Sequence, residues 1–288
     1  MRLRTVPQSL SGIIFGIALA STVTRIGFAG AMMLLLTAAL LQVLSNLSNE
    51  LGDTLHGTDK EGRQGMIYSI QGGEMSVDQM KKFISIIVTA CCMSGLLMIF
   101  FCFGTLFSVW SAIFIVLGAL TIWAAMKYTL GKHPYGYIGL GDLFVFIFFG
   151  LVPTIGGAFL CGLTFKPLWL MPAAAVGLFS VGVLNINNIR DMKTDAETRV
   201  TVAMKLGQKG ARIYQTILIV LGWALLLTFT TLTTDGWLPF IYAITIPLYL
   251  INLVGVWKKK DRQLDPMLPM LVLSTFATSL LFALSLVF

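Results

Sequence analysis

The sequence predicts an all-α polytopic membrane protein, and three observations carry that reading. Of the 288 residues, 57% are hydrophobic and only 11% charged, with a mean hydropathy of +0.86. A soluble domain holds about 25% charged residues, so this chain is too charge-poor to cover a core facing water. The apolar residues fall into nine runs close to the roughly 20 residues that a helix needs to cross a bilayer. The cations then sort almost entirely to one side of those runs. The same composition excludes disorder, a disulfide scaffold and a nucleic-acid partner, because each requires polarity, cysteine density or a basic face that is absent.

The first run, 9–24, is short and follows Arg2 and Arg4. Its Ala18-Leu19-Ala20 imitates a signal-peptide cleavage site, but the first span of a polytopic chain serves as its own insertion signal, so all nine are counted. Runs two to four cover 28–47, 83–104 and 108–126; five and six cover 139–161 and 168–187; the last three cover 211–232, 237–257 and 268–287. Cys91, Cys92, Cys102 and Cys161 all lie inside runs and lack metal-site spacing, so they read as small packing residues. The chain is a single transmembrane domain over 1–288, with two polar loops at about 46–82 and 185–210.

Nine spans fix the topology. Of the 20 Lys and Arg, 18 fall at the N-terminus or in the loops after spans two, four, six and eight, which leaves Arg25 and Lys166 opposite. The positive-inside rule makes the crowded side cytoplasmic, with the N-terminus inside and Phe288 outside, in a cytoplasmic (inner) membrane. The pI near 9.3 is therefore a consequence of topology rather than a sign of acidic partners. Of 13 Asp and Glu, only Asp235 is placed on the outer face, either because the short outer loops hold few residues of any charge or because the working surface is cytoplasmic.

Two segments on that side concentrate Asn and Asp. As span two ends, Asn49 and Asp53 are four apart and share one face of a helical extension, Gly57 permits a turn, and Asp59 can fold back towards them. As span six ends, Asn188, Asp191 and Asp195 follow at i, i+3 and i+7, one helical stripe. Four spans separate the clusters, which hints at a duplicated four-helix unit. Clustered carboxylates beside an apolar bundle repel one another and resist desolvation, so a cation is expected. Hard oxygen ligands suit Mg²⁺, which takes one or two carboxylates together with substrate phosphates. Lys60, Arg63, Lys127, Lys132 and Arg190 are the cations available to a diphosphate on that side. His56 and His133 are single histidines and read as loop residues.

Asn49-x3-Asp53-x5-Asp59 and Asn188-x2-Asp191-x3-Asp195 resemble the paired Asp motifs of the UbiA-type intramembrane prenyltransferases. Within that family the chain is similar to the subgroup acting on 1,4-dihydroxy-2-naphthoate in menaquinone biosynthesis. The segments that carry this are Arg4-Thr5-Val6-Pro7, Glu74 through Lys81, Pro134 through Gly150, Leu184 through Asp191, and Leu206-Gly207. The resemblance implies nine helices around a central cavity and Mg²⁺-dependent transfer of a polyprenyl chain from polyprenyl diphosphate to the aromatic ring. The prenyl group would replace the ring carboxyl, giving demethylmenaquinone. Asn49, Asp53, Asp59, Asn188, Asp191 and Asp195 match positions that hold Mg²⁺ and diphosphate, with Asp53 and Asp191 the expected catalytic pair.

The chain departs from the family pattern at Glu50, where Asp is usual. It also departs after Asp195, where the loop is one residue shorter and Arg199 is positioned to replace a lysine. Only eight residues precede span one, without the amphipathic leader of many relatives. Rival readings are a family member with another acceptor, such as 4-hydroxybenzoate, or a transporter. A transporter is disfavoured by the scarcity of ionisable residues at mid-span. A CDP-alcohol phosphotransferase would need an Asp-Gly…Ala-Arg arrangement that is not found.

Overall fold

In the computed structural model, residues 3–57, 69–70, 72–196 and 198–286 are described. They form nine apolar helices: α1 (Val6–Ser21), α2 (Phe28–Leu55), α3 (Val77–Phe103), α4 (Val109–Lys127), α5 (Gly141–Gly162), α6 (Pro167–Arg190), α7 (Val202–Thr233), α8 (Leu238–Lys258) and α9 (Asp261–Ser285). All but α1 are long and apolar enough to cross a membrane; α1 has 16 residues.

Helix ends differ from the apolar runs where capping chemistry takes over. α3 starts six residues before its run because Ser76 and Gln79 form a capping box, Gln79 N–H donating to Ser76 Oγ and Ser76 N–H to Gln79 Oε1. It ends at Gly104 in the left-handed region. α2 runs eight residues beyond its apolar stretch before Gly57, at φ +67°, turns the chain. That extension carries the first Asn/Asp cluster out of the apolar layer. α7 starts early as well, with a break at Gly207 (φ 69°, ψ 173°).

Small residues let the backbones approach, as membrane bundles require. A Cβ on Gly16 of α1 would lie 2.6 Å from the Thr154 carbonyl of α5, and one on Gly150 of α5 would lie 2.5 Å from Gly177 Cα of α6. The middle of α5, Phe146–Gly156, is π-helical and holds Pro153, whose missing N–H and ring bulk disfavour a regular ladder.

Two cores result. The larger joins α1 to α6–α9 through Phe15, Phe179, Trp223, Tyr242, Tyr249 and Phe282. The smaller joins α2 and α3 through Leu44, Leu47, Leu51, Met80, Ile84 and Cys91. Between them lies a cavity of about 1050 Å³, walled by α1–α6 and the start of α9. Of α4, only Ser111 and Ala124 are buried. Apolar residues left exposed on a helix either line this cavity, as Leu96 and Trp110 do, or are left for lipid.

Candidate functional site

The cavity has two unlike walls. On α2, Gln42, Asn46, Asn49 and Asp53 all line it, at spacings of four, three and four. One helical face therefore carries polar groups over about 16 Å, from within the apolar layer to the rim at the end of α2. α1 adds Thr5 and Gln8: Gln42 Nε2 donates to Thr5 Oγ1 at 2.9 Å and to Asn46 Oδ1 at 3.0 Å, and Gln8 Nε2 to Ser180 Oγ at 2.6 Å. The opposite wall, from α3 to α5, is apolar and aromatic, with Leu96, Ile99, Trp110, Phe114, Phe148 and Phe159.

At the rim, three segments converge on Asp53, which is 2% exposed. Tyr137, from the α4–α5 loop, donates its phenol to Asp53 Oδ1 at 2.9 Å. The Tyr137 carbonyl accepts the Val200 N–H at 2.9 Å, and residues 138 and 200 form an isolated parallel bridge. This bridge sets Arg199 over the Tyr137 ring, 5.1 Å from its centroid. The Arg199 guanidinium then lies 3.4 Å from Asp53 and 3.0 Å from Asp195. Burial works to lower the pKa of Arg199, but Asp53 and then Asp195 outweigh it and hold the group above its ordinary value. One arginine thus spans the two Asp clusters that lie four spans apart.

The second cluster is built around Arg190. α6 ends at Arg190, and Asp191 is its C-cap at φ −93° and ψ 6°. Arg190 Nε and Nη2 donate to the two oxygens of Asp191 at 2.8 and 2.6 Å. Nη2 also donates to Asn187 Oδ1 at 2.8 Å, and Nη1 to Asp265 Oδ1 of α9 at 2.7 Å.

The helical stripe expected for Asn188, Asp191 and Asp195 is not formed, because the helix stops before Asp191. The Asp195 and Arg199 N–H groups bond back to the carbonyls of Asp191 and Asp195, and Thr194 Oγ1 caps the Asp191 carbonyl. The chain therefore turns where a helix was expected. Nor does Asn188 face the main cavity: Asn187 lines it, whereas Asn188 borders a small space beside Asp142 and Arg199. Lys127 and Lys132 do not line the cavity either, and Lys132 is exposed. The cations that meet the acids are Arg190, which was expected to serve a diphosphate, and Arg199. Asp59, Lys60 and Arg63 lie outside the described residues. Glu50 is buried and accepts the Ile70 N–H at 3.1 Å, which pins the returning loop to α2. His56 is a loop residue, its ring nitrogens at hydrogen-bonding distance from the Gly52 and Gly131 carbonyls. Sequence reasoning did not single out Tyr137, Asn187 or Asp265, although Tyr137 and Asn187 lie in segments that carry the family resemblance.

Among the described residues, no group of three His, Cys, Asp or Glu side chains is gathered to hold a metal ion. The donors nevertheless fit a hard divalent cation shared with a phosphate. Asn49 and Asp53 present an amide and a carboxylate on one helical face that lines the cavity; Asp191 and Asp195 do not line it, and their carboxylates are matched by Arg190 and Arg199.

The description "UbiA prenyltransferase family" matches residues 9–285. The 1,4-dihydroxy-2-naphthoate octaprenyltransferase of Escherichia coli (strain K12) is 36% identical over 286 residues, covering 99% of this chain and 92% of the relative. The enzyme of the same name from Haemophilus influenzae is 35% identical, covering 99% and 93%. In fold, the chain is similar to a UbiA homolog from Aeropyrum pernix K1 solved in its apo form, with a TM-score of 0.72, 17% identity and coverage of 100% and 98%. It is also similar to a UbiA homolog from Archaeoglobus fulgidus bound to DMAPP and Mg²⁺, with a TM-score of 0.64, 13% identity and 97% coverage of each chain.

Proposed function

The chain belongs to the UbiA prenyltransferase family, and from that premise we propose that it is a 1,4-dihydroxy-2-naphthoate polyprenyltransferase of menaquinone biosynthesis. The ring carbon that carries the carboxyl attacks C1 of the polyprenyl diphosphate, the C1–O bond breaks and diphosphate leaves. The carboxyl departs as CO₂, its bonding electrons restoring the aromatic ring. The product is the reduced form of demethylmenaquinone. The observation that carries this reading is the cavity itself, with acids and arginines at the rim, a polar α1/α2 wall below them, and an aromatic wall opposite.

Each part matches one part of the substrates. The aromatic wall shelters an isoprenoid tail and keeps water from allylic positive charge. Thr5, Gln42 and Asn46 offer hydrogen bonds to a hydroxylated ring next to it. Arg190 and Arg199 supply fixed positive charge at the rim, where the diphosphate gathers charge as it leaves. Asn49, Asp53, Asp191 and Asp195 would hold Mg²⁺, which neutralises the diphosphate when bound. The protein is a multi-pass membrane protein. Its placement in the cytoplasmic membrane, with the N-terminus and the acidic rim inside, rests on the cation count.

The test is mass spectrometry of products from purified protein in detergent, given 1,4-dihydroxy-2-naphthoate and a polyprenyl diphosphate, with Mg²⁺ or with EDTA. A prenylated, decarboxylated product that forms only with metal is expected. Product formed with 4-hydroxybenzoate instead would keep the family and overturn the acceptor.

A further inference from the structure

We propose that Asp265 is a positioning residue, one that sets how readily Arg190 surrenders Asp191 to a divalent cation; the proposal rests on the metal reading above. Asp191 is fully buried and both its oxygens are held in the guanidinium fork of Arg190, itself 7% exposed. A carboxylate gripped in this way keeps a lone pair on each oxygen, but a cation approaching them is repelled by the guanidinium alongside. Cation binding at Asp191 therefore favours an Arg190 that has moved away from it.

Asp265 gives it somewhere to go. It holds Nη1 at 2.7 Å from the far edge of the guanidinium and lies at the cavity rim, 38% exposed at the start of α9. An Arg190 that releases Asp191 keeps a fully charged partner there. Without Asp265, the same release leaves a buried guanidinium facing only the Asn187 amide, and an uncompensated buried charge is strongly disfavoured. Asp265 thus acts on the cation through Arg190.

A double-mutant cycle isolates that route. Mn²⁺ binding is followed by electron paramagnetic resonance on the full chain in detergent, with inorganic pyrophosphate at fixed concentration, for D265N, R190Q and the double variant. D265N is expected to weaken Mn²⁺ binding about tenfold, R190Q to tighten it, and D265N to have no further effect once R190Q is present. An equal loss in both backgrounds would show Asp265 acting on the cation directly, and unchanged binding in D265N would show that it does not act; either overturns the proposal. R190M likewise removes the charge and gives the same cycle if R190Q fails to fold. No Mn²⁺ uptake by the unaltered chain would overturn the metal reading itself.

Discussion

The Tyr137 phenol donates to Asp53 Oδ1 at 2.9 Å across 84 residues of sequence, and the same residue's carbonyl receives the Val200 N–H. One tyrosine thereby fastens the first Asp cluster to the segment that follows the second. Y137F removes only the side-chain bond. Since a hydrogen bond to a charged group contributes about 1.5–3 kcal/mol to stability, the thermal midpoint should drop, and kcat/KM should fall about tenfold at temperatures where Y137F is still folded. Kinetics beside a melting curve check this, and an unchanged kcat/KM would remove Tyr137 from the site.

Arg199 sits between Asp53 and Asp195, and all three side chains are at most 9% exposed. R199Q leaves two buried acids without their shared counter-charge, a loss of about 3–5 kcal/mol for a broken buried pair. The thermal midpoint should drop, and added Mg²⁺ with pyrophosphate should restore part of it. The pKa of Arg199 is raised from a value already far above neutrality, so its contribution is fully present below that range and stays constant across neutral pH.

D53N and D191N should each abolish turnover while the protein remains inserted and folded. In D191N the Arg190 guanidinium keeps Asp265 and Asn187, so the buried charge is not stranded. Retained turnover of both variants at saturating Mg²⁺ would sink the metal assignment.

How far the site could be read in advance depended on whether a partner was local or distant. Asn49 and Asp53 share a helical face by spacing alone, and α2 delivers them to the cavity as expected. Asp265 gave no such signal: it lies five residues after a run of three lysines and one residue before Pro266, like any surface acid. Its meaning comes from Arg190, 75 residues earlier. The misplaced stripe after Asn188 had a local cause, since Thr194 and the Asp191 carbonyl close a turn where the spacing also fitted a helix. Asn187 was passed over for its neighbour because successive helical positions point about 100° apart, and the phase of α6 relative to the cavity is set by packing. The nine apolar helices were legible throughout, since a bilayer imposes apolarity on each one separately, although α1 falls short of the length of the other eight.

Gln42 tests the polar wall. Its amide holds Thr5 and Asn46 at the cavity edge, deeper than Asn49 by about two helical turns. Q42L should raise KM for the dihydroxynaphthoate about tenfold, the loss of one or two hydrogen bonds, while KM for the prenyl diphosphate stays within a factor of two. Equal effects on both substrates would make Gln42 a packing residue.

Two glycines separate helix contact from helix propensity. At Gly150 an added Cβ would meet Gly177 Cα at 2.5 Å and the Ala173 carbonyl at 2.7 Å. Both are backbone atoms of α6 and cannot rotate aside. G150A should therefore force α5 and α6 apart and cost about 1–3 kcal/mol, as overpacking does. Because α6 ends in Arg190 and Asp191, activity should fall further than the melting temperature alone would predict. Gly95 lies mid-helix in α3 with nothing within 4 Å of its would-be Cβ. There the methyl group restores helix propensity, about 1 kcal/mol in an exposed helix, and G95A should be neutral or stabilising. Melting curves of the two variants in detergent compare them directly, and equal shifts would mean that the close approach of α5 and α6 is not what fixes the rim.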